Sequence, residues 1–415
     1  MNRIGCLVNA RPEPCVLRCA GLCLLALGLL TGCDEDKDND NDGSSGGSSG
    51  QTGSKAGTSS GGTTPIGSTG KSSAADIARK LGREPNFLIG MGNDLPGDYV
   101  WENSGIYRLG QTLDLHYIYL TKGWQDWNPG GYFAKIIAEV DMAKGATPMS
   151  SVYGITGLGE NNFDVLVNDA YMTEYWNMAK LLMERYAELD TPALVHLEPD
   201  FWAYGQQRSG GDPAAIPARL HPDCGDLPEN LSGMARCWFK LARDNAPKVL
   251  VGLHASEWAA GSGAEVGKFL NALGAPESDV VIIDILDRDA GCFEEGTLPQ
   301  CMRGGTFYLD ESNETSPNYA EKLAFARQVH EVTEKPILWW QLPFGVPSET
   351  PGGTPGHFRD NKVRYLFSHV QEFVDAGSVG AAFGTGAGDQ TFIDTDGDQF
   401  KDAVTAYYAN PVPLP

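Results

Sequence analysis

Apolar runs of strand length recur along the chain from about residue 75, separated by amphipathic stretches of helical length. Eight runs are predicted to be strands: Phe87–Gly90, Leu113–Leu120, Thr147–Tyr153, Ala193–Leu197, Lys248–His254, Val280–Leu286, Pro336–Gln341 and Val379–Phe383. Several of them are almost continuously apolar, which is typical of strands that are covered on both faces. The pattern therefore predicts a largely buried parallel sheet.

The segments between the strands carry apolar residues about every 3.6 residues, the period of an amphipathic helix. The predicted helices are Tyr132–Lys144, Met172–Leu189, Met234–Asn245, Ala264–Leu273, Tyr319–Thr333 and Asn361–Ala376. This alternation predicts an α/β fold, a (β/α)8 barrel that spans residues 75–415. A doubly wound open sheet is the alternative, although Gly90-Met91-Gly92-Asn93 does not complete a Gly-rich dinucleotide fingerprint.

The N-terminus has the pattern of an export signal. Arg3, Arg11 and Arg18 precede the apolar run Cys19–Leu30, which is too short to span a bilayer but suits a signal-peptide core. The run ends in Leu30-Thr31-Gly32-Cys33, which resembles a bacterial lipobox. The resemblance implies a signal peptide over residues 1–32 and a lipidated Cys33 that anchors the protein to a membrane of the bacterial cell envelope. Cleavage to an unlipidated secreted protein is the alternative.

Residues 33–74 are predicted to be a disordered linker. Acidic residues follow Cys33 directly, and Ser, Gly and Thr dominate from there to about Ser73. Such a composition buries too little apolar surface to fold. The linker is therefore expected to hold the barrel away from the membrane.

Four cysteines lie in the predicted barrel: Cys224, Cys237, Cys292 and Cys301. In an exported protein, an even number of cysteines at short spacings favours local disulfides. We therefore expect Cys224 to pair with Cys237 and Cys292 with Cys301. Four unrelated buried thiols are the alternative.

The net charge of the chain restricts the classes of molecule that it is expected to bind. Thirty-one Lys and Arg residues against 54 Asp and Glu residues give a net charge of −23, and residues 1–71 are almost balanced. The acidic body makes nucleic acid and polyanionic glycans poor partners and favours a neutral or cationic glycan. The predicted barrel carries neither a Gly-x-Ser-x-Gly nucleophile motif nor a nucleotide-hydrolase motif. We expect a monomer.

Aromatic and polar residues crowd the predicted C-terminal ends of the strands, where the chemistry of barrel enzymes is located. All nine Trp residues lie after residue 100. Aromatic rings stack on the apolar faces of sugars, whose hydroxyls need polar partners. The pattern predicts an oligosaccharide or polysaccharide site lined by Trp124, Trp127, Tyr153, Trp202, Tyr204, His254, Trp258, Trp340 and Gln341. A general enrichment of Trp near barrel mouths is the alternative.

Glu198 is the best candidate for a general acid. Strand alternation places His196, Glu198 and Asp200 on one face, provided that the fourth strand continues that far. Glu198-Pro199 resembles the acid/base position of the large clan of (β/α)8-barrel glycoside hydrolases, except that Leu197 stands where that clan usually has Asn. The resemblance implies hydrolysis of glycosidic bonds.

Glycoside hydrolysis requires a second carboxylate, as nucleophile or base. In the same clan the nucleophile is a Glu at the end of strand seven, where this chain has Gln341. Asp200, Asp287 and Asp289 are the candidates for a base, with Glu257 as a further alternative. Two other interpretations remain: a structural role for these carboxylates, and a non-catalytic barrel that binds glycans.

A metal-dependent hydrolase is a third possibility at the sequence level. Five potential ligands are expected to point into the barrel: His116, His196, Glu198, His254 and Asp284. No compact ligand motif accompanies them, and interior histidines are commonly hydrogen-bonded. We therefore predict no metal and no cofactor.

Acidic residues precede the last predicted helix, Phe400–Tyr408. The segment Asp394–Asp398 with Asp402 resembles a calcium-binding loop but has Thr405 where an EF-hand carries its last Glu. We expect these acids to cap the helix.

Overall fold

The computed structural model describes residues 72–92, 105–155, 159, 161–284, 309–345, 361–384, 391 and 393–415. Eight parallel strands form a closed barrel: β1 Leu88–Gly92, β2 Leu115–Thr121, β3 Thr147–Tyr153, β4 Ala193–Leu197, β5 Val249–Ser256, β6 Val280–Asp284, β7 Ile337–Leu342 and β8 Ser378–Phe383. Each strand pairs with the next, and β8 pairs with β1. The predicted (β/α)8 barrel is confirmed.

One helix precedes β1, and the others follow strands β2–β8 in chain order. The helices are α1 Ala74–Lys80, α2 Trp124–Trp127, α3 Tyr132–Lys144, α4 Asp169–Leu189, α5 Phe201–Ser209, α6 Leu231–Asn245, α7 Gly263–Leu273, α8 Tyr319–Thr333, α9 Lys362–Ser368, α10 Val370–Asp375 and α11 Gln399–Ala409. The predicted single helix Asn361–Ala376 is wrong, because His369 has φ −130° and ψ 24° and separates α9 from α10. The sequence pattern did not predict α1, which precedes β1, or α2 and α5, which follow the ends of β2 and β4.

Several predicted features lie outside the described residues. They are the signal peptide 1–32, Cys33, the linker up to residue 71, Asp287, Asp289, Cys292 and Cys301. Within the described part of the chain, no helix combines the length and apolar character needed to cross a bilayer.

Large rings fill the upper part of the barrel interior, and glycines on neighbouring strands make room for them. Trp340 of β7 packs against Tyr117 and Tyr119 of β2, with ring centroids 5.8 and 5.7 Å apart. A Cβ on Gly384 would lie 2.0 Å from the Tyr117 hydroxyl oxygen, and one on Gly92 would lie 2.5 Å from the Tyr117 Cγ. Aromatic packing at the mouth therefore depends on the absence of side chains at these positions.

Cys224 and Cys237 form a disulfide with an S–S distance of 2.05 Å. Cys237 lies on α6 and Cys224 precedes that helix, and both side chains are buried. The bond therefore ties the segment before α6 to the helix itself.

The acidic segment before α11 contributes a helix cap. The buried carboxylate of Asp396 accepts a hydrogen bond from the backbone N–H of Phe400 at 2.7 Å, within the first turn. Asp396 thus satisfies one free N–H group of the first turn, while Asp398, the N-cap residue, makes no side-chain cap hydrogen bond.

Candidate active site at the ends of β4 and β5

Three residues near the ends of β4 and β7 have a strained backbone. Glu198, Asp200 and Gln341 have φ values of 42°, 65° and 56°, in the left-handed region that disfavours residues other than glycine. The pairing of β7 with β8 also shifts register between Trp339 and Leu342. Such conformations cost about 1–3 kcal/mol each and cluster at functional sites. The ends of β4 and β7 therefore have the backbone strain that is typical of functional sites.

The fourth strand ends at Leu197, so the predicted common face of His196, Glu198 and Asp200 is wrong. The left-handed backbone at Glu198 turns its carboxylate toward the end of β3. That carboxylate accepts hydrogen bonds from the backbone N–H groups of Gly154 at 3.1 Å and Ile155 at 3.2 Å. It also accepts one from the Tyr175 hydroxyl of α4.

Glu198 is fully buried in this arrangement. Burial raises its pKa to about 7, although hydrogen bonds from Ile155, Tyr175 and Gly154 act in the opposite direction. The Tyr175 oxygen in turn accepts a hydrogen bond from the indole N–H of Trp238 at 2.7 Å. Glu198 is therefore an acid that is partly protonated near neutral pH and held away from solvent.

A chain of hydrogen bonds crosses the barrel interior from β3 to β5. Ser151 Oγ lies 3.1 Å from His196 Nδ1, and His196 Nε2 lies 3.0 Å from His254 Nδ1. Burial lowers the pKa of His196 well below its ordinary value and that of His254 to about 4, with nearby Asp200 opposing the shift at His254. Both imidazoles are therefore neutral at neutral pH. The ring of Trp340 packs edge-on against both.

Asp200 is the accessible carboxylate at the end of β4. Its side chain is 31% exposed, and its Oδ1 lies 3.9 Å from His254 Nε2. The Ser256 hydroxyl, at the end of β5, donates to the same oxygen at 3.1 Å. Asp200 therefore presents a negatively charged acceptor to solvent beside β5.

An aromatic pair lies on the segments that follow the same two strands. Trp258 is 44% exposed, and its ring packs against Tyr204 of α5 with a centroid distance of 4.6 Å. The Gln207 side-chain amide donates to the Trp258 carbonyl oxygen at 3.1 Å, which fixes the segment after β5 against α5. We call Asp200, Tyr204, Ser256 and Trp258 the β4–β5 rim.

Three of the tryptophans predicted to line the sugar site are buried instead. Trp124, Trp202 and Trp340 have at most 1% of their surface exposed. The Trp202 indole N–H donates to the Leu197 carbonyl oxygen at 2.8 Å, so this ring packs beneath the end of β4. A position near a strand end does not determine which way a ring turns, and these three rings contribute to the core.

The remaining predicted binding residues are spread around the mouth. Trp127 is 41% exposed and packs against Phe133 on the β2 side. Tyr153 is half-buried, with its ring 5.7 Å from that of Tyr119. Gln341 is buried, and its side-chain nitrogen has no hydrogen-bond partner among the described residues.

The candidate ligands of the alternative metal site do not converge in the described part of the chain. His116 Nδ1 bonds Asp141 of α3 at 2.7 Å, so this imidazole faces the outer helices rather than the interior. Glu198 points toward Tyr175, away from the paired histidines. Throughout the described ranges, no three His, Cys, Asp or Glu side chains come together as a metal site.

Sequence reasoning missed the serines of the site. Ser151 interrupts the apolar pattern of β3, and Ser256 is the last residue of β5. A polar residue at an inward position of a buried strand is a signal that a polar interior partner exists. Here the partners are His196 and Asp200.

The closed parallel barrel, with carboxylates and aromatic residues at its C-terminal mouth, is a (β/α)8 fold. It resembles a Cellulomonas fimi endo-beta-1,4-mannanase double mutant, with a TM-score of 0.51 and 14% identity over 83% of this chain and 76% of that chain. An engineered protein gives a TM-score of 0.52 and 14% identity over 84% of this chain and 74% of that chain. At these identities the likeness establishes the fold alone. No protein-family model and no curated protein sequence matches the chain.

Proposed function

We propose that the chain is a cell-envelope lipoprotein whose barrel binds a neutral or cationic oligosaccharide or polysaccharide and hydrolyses its glycosidic bonds. The observation that carries the proposal is the β4–β5 rim, where the 31%-exposed Asp200 carboxylate is bonded to Ser256 and the 44%-exposed ring of Trp258 packs against Tyr204. An exposed ring on the same rim as a fixed acceptor suits a sugar, which has apolar faces and hydroxyl edges. The mannanase with a similar barrel is consistent with this class of substrate.

In the proposed reaction, Glu198 donates a proton to the glycosidic oxygen and Asp200 removes a proton from the attacking water. A pKa of about 7 leaves Glu198 substantially protonated at neutral pH, as a general acid requires. Its carboxyl group must exchange at least one of its present hydrogen bonds to reach the substrate. Asp200, in contrast, is already accessible beside Ser256.

A non-catalytic glycan-binding barrel is the second candidate function. It is favoured by Gln341 at the end of β7, because a neutral amide cannot act as a nucleophile, and by the complete burial of Glu198. Both candidates use the same rim for binding. They differ only in whether a bond is broken.

Binding and cleavage should be measured together on manno-, gluco-, xylo- and chitotetraose. The wild type is expected to bind at least one of them and to release reducing ends. Glu198→Gln and Asp200→Asn should reduce release at least about 100-fold, while Asp164→Asn, which changes a 94%-exposed carboxylate, should leave it unchanged. Binding without release by the wild type would establish the second candidate, and absence of binding to all four would contradict both.

The envelope location is a separate part of the proposal and rests on the lipobox-like Leu30–Cys33 and the Ser/Gly-rich stretch that follows. The wild type is expected to fractionate with membranes and to carry lipid on Cys33. Cys33→Ala should release the protein into the soluble fraction. Mass spectrometry of the N-terminal peptide identifies the modification, and an unmodified Cys33 on a membrane-free protein would overturn this part.

A further inference from the structure

The side chain of His254 has one buried nitrogen, Nε2, that makes no hydrogen bond to any described residue. The Oδ1 atom of Asp200, on the β4–β5 rim, lies 3.9 Å from this nitrogen. That separation is too long for a hydrogen bond, but it allows one oxygen atom to lie about 2.8 Å from both. Leaving a buried polar group unpaired costs about 1–3 kcal/mol. The gap therefore suggests a ligand oxygen between the two side chains.

The tautomer of His254 follows from the other end of the hydrogen-bond chain. Ser151 is fully buried, and His196 Nδ1 is the acceptor within reach of its hydroxyl among the described residues. Donation by Ser151 makes His196 Nδ1 an acceptor, so the proton of His196 is on Nε2. His196 Nε2 then donates to His254 Nδ1, which leaves the proton of neutral His254 on Nε2.

The Asp200 end of the chain favours the same tautomer for a different reason. An ionised carboxylate only accepts hydrogen bonds. A bare nitrogen lone pair facing Asp200 Oδ1 at 3.9 Å would be repelled, whereas an N–H dipole is attracted. The contacts at both ends of the hydrogen-bond series, at Ser151 and at Asp200, therefore make His254 Nε2 a donor.

We infer that Ser151 and His196 are positioning residues that hold His254 as an Nε2–H donor, and that His254 and Asp200 together bind one hydroxyl group of the glycan. The oxygen of this hydroxyl group accepts a hydrogen bond from His254 Nε2–H, and the hydroxyl group donates a hydrogen bond to Asp200 Oδ1. This inference rests on the proposed function and adds a specificity to it. An ether, carbonyl or carboxylate oxygen at the same place accepts from His254 but has no proton for Asp200, so the site selects a free hydroxyl.

The positioning role is tested without any sugar, by NMR of the histidine ring nitrogens in the ¹⁵N-labelled protein. The wild type is expected to show a protonated Nε2 and an unprotonated Nδ1 on His254. Ser151→Ala should mix the two tautomers, and Ser151→Thr, which keeps the hydroxyl, should restore the wild-type pattern. A protonated Nδ1 on His254 in the wild type overturns the inference.

Ser150→Ala is the matched control for this measurement. Ser150 is equally buried on the same strand, but its hydroxyl bonds Tyr186 of α4 on the outer face at 2.7 Å. Its removal should leave the His254 tautomer unchanged. A general loosening of β3, in contrast, would affect the His254 signals in both serine variants, and that result would also count against a positioning role.

The hydroxyl site is tested by titrating the four tetraoses into two His254 variants. His254→Gln keeps an N–H donor near the position of Nε2 and should weaken binding at most a few-fold. His254→Leu should weaken it at least about tenfold, because it removes the N–H donor to the sugar hydroxyl. Equal affinities of wild type and His254→Leu overturn the hydroxyl site. Failure of the wild type to bind any tetraose overturns the proposed function, while the NMR result separately decides the positioning role.

Discussion

Glu198 accepts a hydrogen bond from the backbone N–H of Ile155 at 3.2 Å, so the end of β4 is tied to the chain that leaves β3. The contact requires the left-handed backbone of Glu198, with φ 42°. It keeps a carboxyl group in a fully buried place where its ionised form is disfavoured. The arrangement links the stability of the barrel mouth to pH.

Stability should fall as the pH rises through the pKa of Glu198. Its folded pKa of about 7 lies above the ordinary value of 4.5, so the folded state binds more protons between these values. The stabilising contribution is complete below pH 4.5 and is lost by about pH 7, at a cost on the order of 3 kcal/mol. Urea unfolding at several pH values measures the free energy of unfolding.

Glu198→Gln should remove this component of the pH dependence, because an amide does not titrate. The difference in unfolding free energy between wild type and Glu198→Gln should therefore shift in favour of the variant as the pH rises from 4.5 to 7. Asp164→Asn, at a carboxylate that is 94% exposed, should show no such shift. Parallel curves for wild type and Glu198→Gln would show that Glu198 ionises normally.

Trp258 and Trp127 form a matched pair for testing the rim as the binding surface. They are 44% and 41% exposed, so either change to Ala removes a similar amount of accessible ring. Trp258→Ala is expected to weaken binding of the preferred tetraose roughly tenfold, about 1.4 kcal/mol, because it removes the exposed ring of the β4–β5 rim. Trp127→Ala should leave the affinity within about twofold. The opposite order, measured by calorimetric titration, would place the sugar on the β2 side.

Gly384 should be intolerant of a side chain because of Tyr117. A Cβ at residue 384 would lie 2.0 Å from the Tyr117 hydroxyl oxygen, and Gly384→Ala should lower the free energy of unfolding by about 1–3 kcal/mol. In Gly384→Ala combined with Tyr117→Phe, the nearest remaining Tyr117 atom is Cζ, at 3.3 Å. A double-mutant cycle should therefore show favourable coupling between the two changes. Strict additivity would mean that the clash is relieved elsewhere.

The disulfide between Cys224 and Cys237 should contribute substantially to stability. It closes a loop of 13 residues, for which constraint of the unfolded chain is worth about 2–4 kcal/mol. Replacing both cysteines with Ala should lower the free energy of unfolding by about this amount. Dithiothreitol should destabilise the wild type more than the double variant, and equal responses in both would show that this pair is not formed.

The barrel was predictable from the sequence, because burial on both faces requires long apolar runs in parallel strands. Thr147–Tyr153 and Ala193–Leu197 were predicted with the bounds that the structure shows. The short α2 and α5 escaped prediction, since four and nine residues after a strand give little periodic signal.

The sequence also determined which chemical groups gather at the mouth, because the ends of parallel strands in a closed barrel meet at one side. It did not determine where those groups point. The turn of Glu198 toward Ile155, the burial of Trp202 and the outward position of His116 depend on backbone dihedrals and on partners from distant segments. Only the tertiary structure showed that hydrogen bonds connect Ser151 to His196 and His196 to His254, and that His254 lies near Asp200. The reason is that contacts between strands are set by register and packing in three dimensions.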